Sequence, residues 1–114
     1  MIIDGTNISM IRGDRESITV RCQNPDGSNH PFAEGDKVYF TVKKDAYQAE
    51  PVLQKIAREF GENGEAIIEI TPEDTKQLDF TAYKYDVQLS AASGRVTTII
   101  PLSTFKVGEE ITDE

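Results

Sequence analysis

In the segment Tyr83-Lys84-Tyr85-Asp86-Val87-Gln88-Leu89, large apolar side chains alternate with polar ones over seven positions. An extended chain puts every second side chain on one face, so Tyr83, Tyr85, Val87 and Leu89 share a face and the segment reads as a half-buried strand. The residues before it carry a helix-start signal. Thr71 can cap a short helix, Pro72 suits its first turn, and Asp74 lies where a capping-box acid belongs. A single helical turn feeding an alternating aromatic strand commits the chain to sheet packing, and no stretch elsewhere announces catalytic chemistry.

The rest of the chain repeats the two-residue rhythm. Residues 7–11 are short and apolar and end at Arg12-Gly13-Asp14, a turn cluster. Residues 17–21 alternate, and Asn24-Pro25-Asp26-Gly27-Ser28-Asn29 is the strongest turn signal present. In residues 37–43, Val38, Phe40 and Val42 share a face. Residues 52–59 are ambiguous: Val52, Ile56 and Phe60 stand four apart, as on a helix, yet the segment is brief and closed by Gly61, Asn63 and Gly64, so strand is preferred. Residues 65–70, 95–102 and 103–107 complete the set, with turns at Glu62-Asn63-Gly64 and Ala91-Ala92-Ser93-Gly94.

This pattern predicts an all-β, immunoglobulin-like antiparallel β-sandwich of about 7–9 strands, with one short helical turn near residues 72–78. A single domain is expected over residues 1–114, folded over 7–107, with 108–114 a polar tail or the start of a linker. The expected core comprises Ile18, Val20, Val38, Phe40, Val42, Ile56, Ala66, Ile68, Ile70, Leu78, Tyr85, Val87, Leu89, Val96, Ile100 and Phe105.

Charge and composition narrow the function. Twelve basic against twenty acidic residues give a net charge of −8, which disfavours nucleic acid or an anionic membrane as the partner. Cys22 is the only cysteine, so no internal disulfide can form, and its phase with Ile18 and Val20 predicts a small buried side chain. The N-terminus lacks the basic and apolar pattern of a signal peptide, and no span approaches membrane length.

Each chemical motif has a plainer structural reading. Arg12-Gly13-Asp14 matches an adhesion tripeptide, but turn chemistry explains the same three residues. Glu73-Asp74 and Glu109-Glu110 lack a calcium-loop pattern, and helix-start acids account for the first pair. His30, the only histidine, reads as a solvated loop residue, so no catalytic residue, metal site or cofactor is assigned. Tyr39, Ile67 and Ile99 are apolar but out of phase with the core, and are the expected docking residues.

The order of segments is itself recognisable. Residues 7–14, the Ser-Ile-Thr-Val strand, residues 36–44, residues 64–75 and residues 83–89 together resemble the N-terminal domain of phage and prophage baseplate upper proteins, over roughly residues 8–107. The resemblance implies a non-catalytic, immunoglobulin-like module of a virion tail baseplate, made in the bacterial cytoplasm. Its partners would be other tail and baseplate subunits or further copies of itself. It implies no cofactor and no catalytic residue, and makes Arg12-Gly13-Asp14 a turn after the first strand. Full baseplate upper proteins continue well beyond such a domain, whereas this sequence stops at Glu114. The alternative from residue chemistry is a carbohydrate- or cell-surface-binding module with Tyr39, Tyr47 or Phe60 as stacking platforms. An enzyme built around His30 or clustered carboxylates is third.

Overall fold

The computed structural model describes residues 1–47 and 50–109. In chain order the strands are β1 (Ile2–Asp4), β2 (Asn7–Ile11), β3 (Glu16–Val20), β4 (Cys22–Gln23), β5 (Asn29–His30), β6 (Lys37–Lys43), β7 (Leu53–Ala57) and β8 (Ala66–Ile70). A short helix α1 (Pro72–Lys76) then leads to β9 (Ala82–Ser90) and β10 (Val96–Gly108). One sheet has the order β1-β2-β10-β9-β6-β7; β3 pairs with β8 in a second, and β4 with β5 forms a small flap. The partition of β3 and β8 against β10, β9, β6 and β7 is the immunoglobulin-like arrangement of an all-β sandwich.

The ten strands among the described residues exceed the expected number because β1, β4 and β5 are two- or three-residue pieces. One pair departs from the antiparallel expectation: β2 and β10 run parallel, with Phe105 opposite Ile8 and Gly108 opposite Ile11. No hairpin joins β2 to β10, and the chain between them crosses to the other sheet and back, so nothing forces them antiparallel. Gly108, expected in the polar tail, is therefore sheet, and its carbonyl accepts the Arg12 N–H at 3.0 Å. Residues 110–114 of the expected tail lie outside the described residues.

Side-chain alternation fills the space between the sheets. Val38, Phe40 and Val42 face inward from β6, Tyr83, Tyr85, Val87 and Leu89 from β9, and Ala66, Ile68 and Ile70 from β8. At the centre the ring of Phe40 lies 5.1 Å from that of Tyr85 and 6.0 Å from that of Phe105, the latter edge-on. Such pairs add about 0.5–1.5 kcal/mol each to the burial of their area. Ile8, Met10, Ala57, Tyr83 and Val107 also belong to the core, as does Phe32, whose ring packs 5.2 Å from Phe60 and closes one end of the sandwich.

The crossing from β8 to β9 is built as its sequence suggests. Thr71 stands at the N-cap of α1, and its N–H donates to the Asp74 carboxylate at 2.7 Å. Near the start of β9 the Tyr83 hydroxyl accepts the Asp79 N–H at 2.8 Å, tying the strand back to its own corner. That bond is a tyrosine corner, a hallmark of this sandwich class.

Two core expectations are corrected. Residues 53–57 are indeed a strand, but Ala57 opposes Val38 and Lys55 opposes Phe40, so the inward set is Leu53, Lys55 and Ala57 and Ile56 is exposed. The inward Lys55 is tolerated because β7 is an edge strand, where its ammonium reaches Asp74 of α1 at 2.7 Å. In β10 the register slips between Thr98 and Ile100 and again between Ile100 and Ser103. Each slip adds a residue and flips the facing, as a β-bulge does. Ile100 opposes the inward Val87 and packs half-buried against the core, whereas beyond the first slip Thr97 opposes the inward Leu89, which leaves Val96 63% exposed.

Candidate functional site

The six-stranded sheet has two edges, and they differ. At β7 the edge follows Pro51 and carries the inward charge Lys55, both devices that discourage pairing with another strand. At β1 neither is present. Ile2 and Ile3 are 72% and 55% exposed and, being consecutive in an extended strand, point to opposite faces. Ile3 opposes the buried Ile8 and Ile2 opposes Ser9, so the edge offers backbone hydrogen-bonding groups flanked by an apolar side chain on either side.

The outer face of the same sheet holds a second feature. A depression of about 350 Å³ crosses β6, β7 and β9 and is lined by Thr41, Lys43, Gln54, Lys84, Asp86 and Leu102, among others. Lys43 and Lys84 are directly opposed cross-strand partners, as are Thr41 and Asp86. Burial raises the Asp86 pKa, and the charge of Lys43 partly offsets this. The Gln54 side-chain amide donates to the Thr41 hydroxyl at 3.0 Å, and the Lys84 ammonium donates to the Thr104 hydroxyl at 3.4 Å.

The expected docking residues do not come together. Tyr39 is half-buried on the outer face of the six-stranded sheet, where it opposes Ile56 and Gln88. Ile67 is 56% exposed on the outer face of the β3–β8 sheet, on the far side of the sandwich. Ile99 sits at the first bulge of β10 and packs against the core, so its out-of-phase position does not turn it to solvent. The apolar companions that do share the face of Tyr39 are Ile56 and Val96, both assigned to the core by simple alternation.

The remaining motifs take structural places. Arg12-Gly13-Asp14 is built into the corner next to α1. The Arg12 guanidinium lies 4.2 Å over the Phe80 ring, the Gly13 N–H donates to the buried Thr75 hydroxyl at 2.8 Å, and the Asp14 N–H donates to the Ile11 carbonyl at 3.2 Å. His30 is exposed in β5 opposite Cys22, which is half-buried against the core rather than fully enclosed. Tyr47 stands 98% exposed in the β6–β7 loop and Phe60 is engaged with Phe32, so with Tyr39 they form no common platform. Of the acidic pairs, Asp74 is occupied by Thr71 and Lys55, and Glu110 lies outside the described residues. Among the described residues no three His, Cys, Asp or Glu side chains are grouped to hold a metal, and no helix is long and apolar enough to cross a membrane.

No protein-family model matches the chain, and no curated protein matches it.

Proposed function

We propose that this chain is a non-catalytic assembly module of a phage or prophage tail baseplate, and that it attaches to another virion subunit by accepting a strand at β1. The observation that carries this reading is the β1 edge, free of proline and of an inward charge, with Ile2 and Ile3 exposed on its two faces. Added strands gain main-chain hydrogen bonds from such an edge, and the alternate side chains supply specificity. The resemblance of residues 8–107 to baseplate upper domains supports the choice of partner class. The acidic surface keeps the free subunit soluble before assembly.

The test is size-exclusion chromatography and pull-down of the purified chain with phage tail and baseplate proteins. A stoichiometric complex that is lost in the Ile3→Lys variant is expected. A chain that stays inert toward every tail component contradicts the proposal.

A further inference from the structure

The direct opposition of Lys43 and Lys84 is unusual on a chain whose net charge is −8. Like charges facing each other across two strands repel and cost the sheet stability. Asp86 is the carboxylate placed diagonally to Lys43 across the same two strands, and Asp45 lines the same depression. Two ammonium groups and two carboxylates, that of Asp86 half-buried, thus border one hollow, whose volume of about 350 Å³ is that of a small-ligand site. Their neighbours are set in place: Gln54 is bonded to Thr41, Lys84 to Thr104, and the Gln88 amide donates to the Thr98 hydroxyl at 3.5 Å. Tyr39 stands four residues before Lys43 on the same face, about 13 Å along the strand.

We propose that this depression binds a short acidic saccharide. A ring carboxylate seated between Lys43 and Lys84 relieves their repulsion and accepts charge-assisted hydrogen bonds from both. Sugar hydroxyls donate to Asp86, and the Thr41 hydroxyl and Gln54 amide serve the same ring as donor or acceptor. The Tyr39 ring offers an apolar face to a following sugar. The match is to a ligand with one carboxylate among many hydroxyls: the carboxylate answers the two ammonium groups, the hydroxyls answer Asp86 and Asp45, and a densely charged polyanion meets those two carboxylates and the negative field of the whole chain. The site lies on the outer face of the sheet and does not use the β1 edge.

The experiment is an NMR titration of the ¹⁵N-labelled chain at low salt with a trisaccharide that carries one terminal glucuronate on two neutral hexoses, with its methyl ester and inorganic phosphate as parallel arms. Saturable shifts centred on Thr41, Lys43, Lys84 and Asp86 are expected. Affinity should fall about tenfold or more in Lys43→Gln/Lys84→Gln, the loss of one charge-assisted bond or more. That variant should keep the dispersed ¹⁵N spectrum and the cooperative urea unfolding of the parent, which separates lost binding from lost folding. The proposal is overturned if the glucuronate trisaccharide gives no saturable shifts or shifts that map elsewhere, if the neutral ester binds equally well, or if phosphate alone reproduces the response at equal affinity. No tail protein takes part, so a negative result here leaves attachment at β1 standing.

Discussion

Thr75→Val removes one oxygen from the interior and tests how the first turn is anchored to the helix. Thr75 is fully buried, and its hydroxyl accepts the Gly13 N–H at 2.8 Å across 62 positions of sequence. Valine keeps the shape and deletes the acceptor, leaving the Gly13 N–H without its partner. An unmade buried hydrogen bond costs about 1–3 kcal/mol, and because Gly13 is half-buried the lower part, about 1–2 kcal/mol, applies. A chain of 114 residues has an unfolding entropy near 0.24 kcal/mol/K, so the melting temperature should drop by about 4–8 °C. With no tryptophan present, urea and thermal unfolding are best followed by far-UV circular dichroism. Amide exchange supplies the site-specific readout: the Gly13 amide should lose protection in Thr75→Val and keep it in Thr75→Ser, which retains the hydroxyl. An unchanged midpoint together with unchanged Gly13 protection in Thr75→Val would refute the reasoning.

Further predictions follow from other contacts. Tyr83→Phe should destabilise the fold by about 1 kcal/mol through loss of the bond to the Asp79 N–H, read as a lower urea midpoint at constant slope. Gly64→Ala should cost more than about 1 kcal/mol, since φ is +73° and an added Cβ overlaps Pro31, whereas Gly94→Ala, at φ +94° in open space, should cost only the backbone strain. Two carboxyls should make stability fall in acid. The Asp36 carboxylate is held below its ordinary value of 3.8 by the Ala33 and Ala92 N–H groups. Burial raises that of Asp74, but the Lys55 ammonium and the bonds from Thr71 outweigh it and hold it low. With folded values below unfolded ones, the unfolded state binds more protons, so their contribution is complete above the ordinary value and is lost as pH falls through the folded values. Asp86 acts oppositely, its value being raised by burial, and Asp36→Asn should flatten the acid limb of a urea-midpoint profile against pH.

The parts of the fold that were legible in the sequence are those where one rule governs a whole segment. In β6 and β9 strict alternation names the inward residues, and the Thr71-Pro72-Asp74 start places α1. Where a second influence intervenes the rhythm misleads. Lys55 points inward because an edge position and Asp74 make that tolerable, which pushes Ile56 outward, and the bulge between Thr98 and Ile100 inverts Val96. Phe32 escapes the pattern because it closes the core from a loop, with no periodic neighbours. The surface features depend on pairing that a single strand does not reveal. Tyr39 was visible as out of phase, but the meeting of Lys43 with Lys84 needs the β6–β9 register, and the openness of β1 needs the strand order. A run of exposed isoleucines at positions 2 and 3 was the available signal for that edge, once the segment is read as a strand.

The most direct check on the proposed attachment role is amide hydrogen exchange of this chain alone and after mixing with purified phage tail and baseplate proteins. Strand addition predicts new protection concentrated in Ile2–Asp4, with the β7 edge unchanged. Complex formation that leaves the β1 amides exchanging at their free rate, or protection confined to β7, would contradict it.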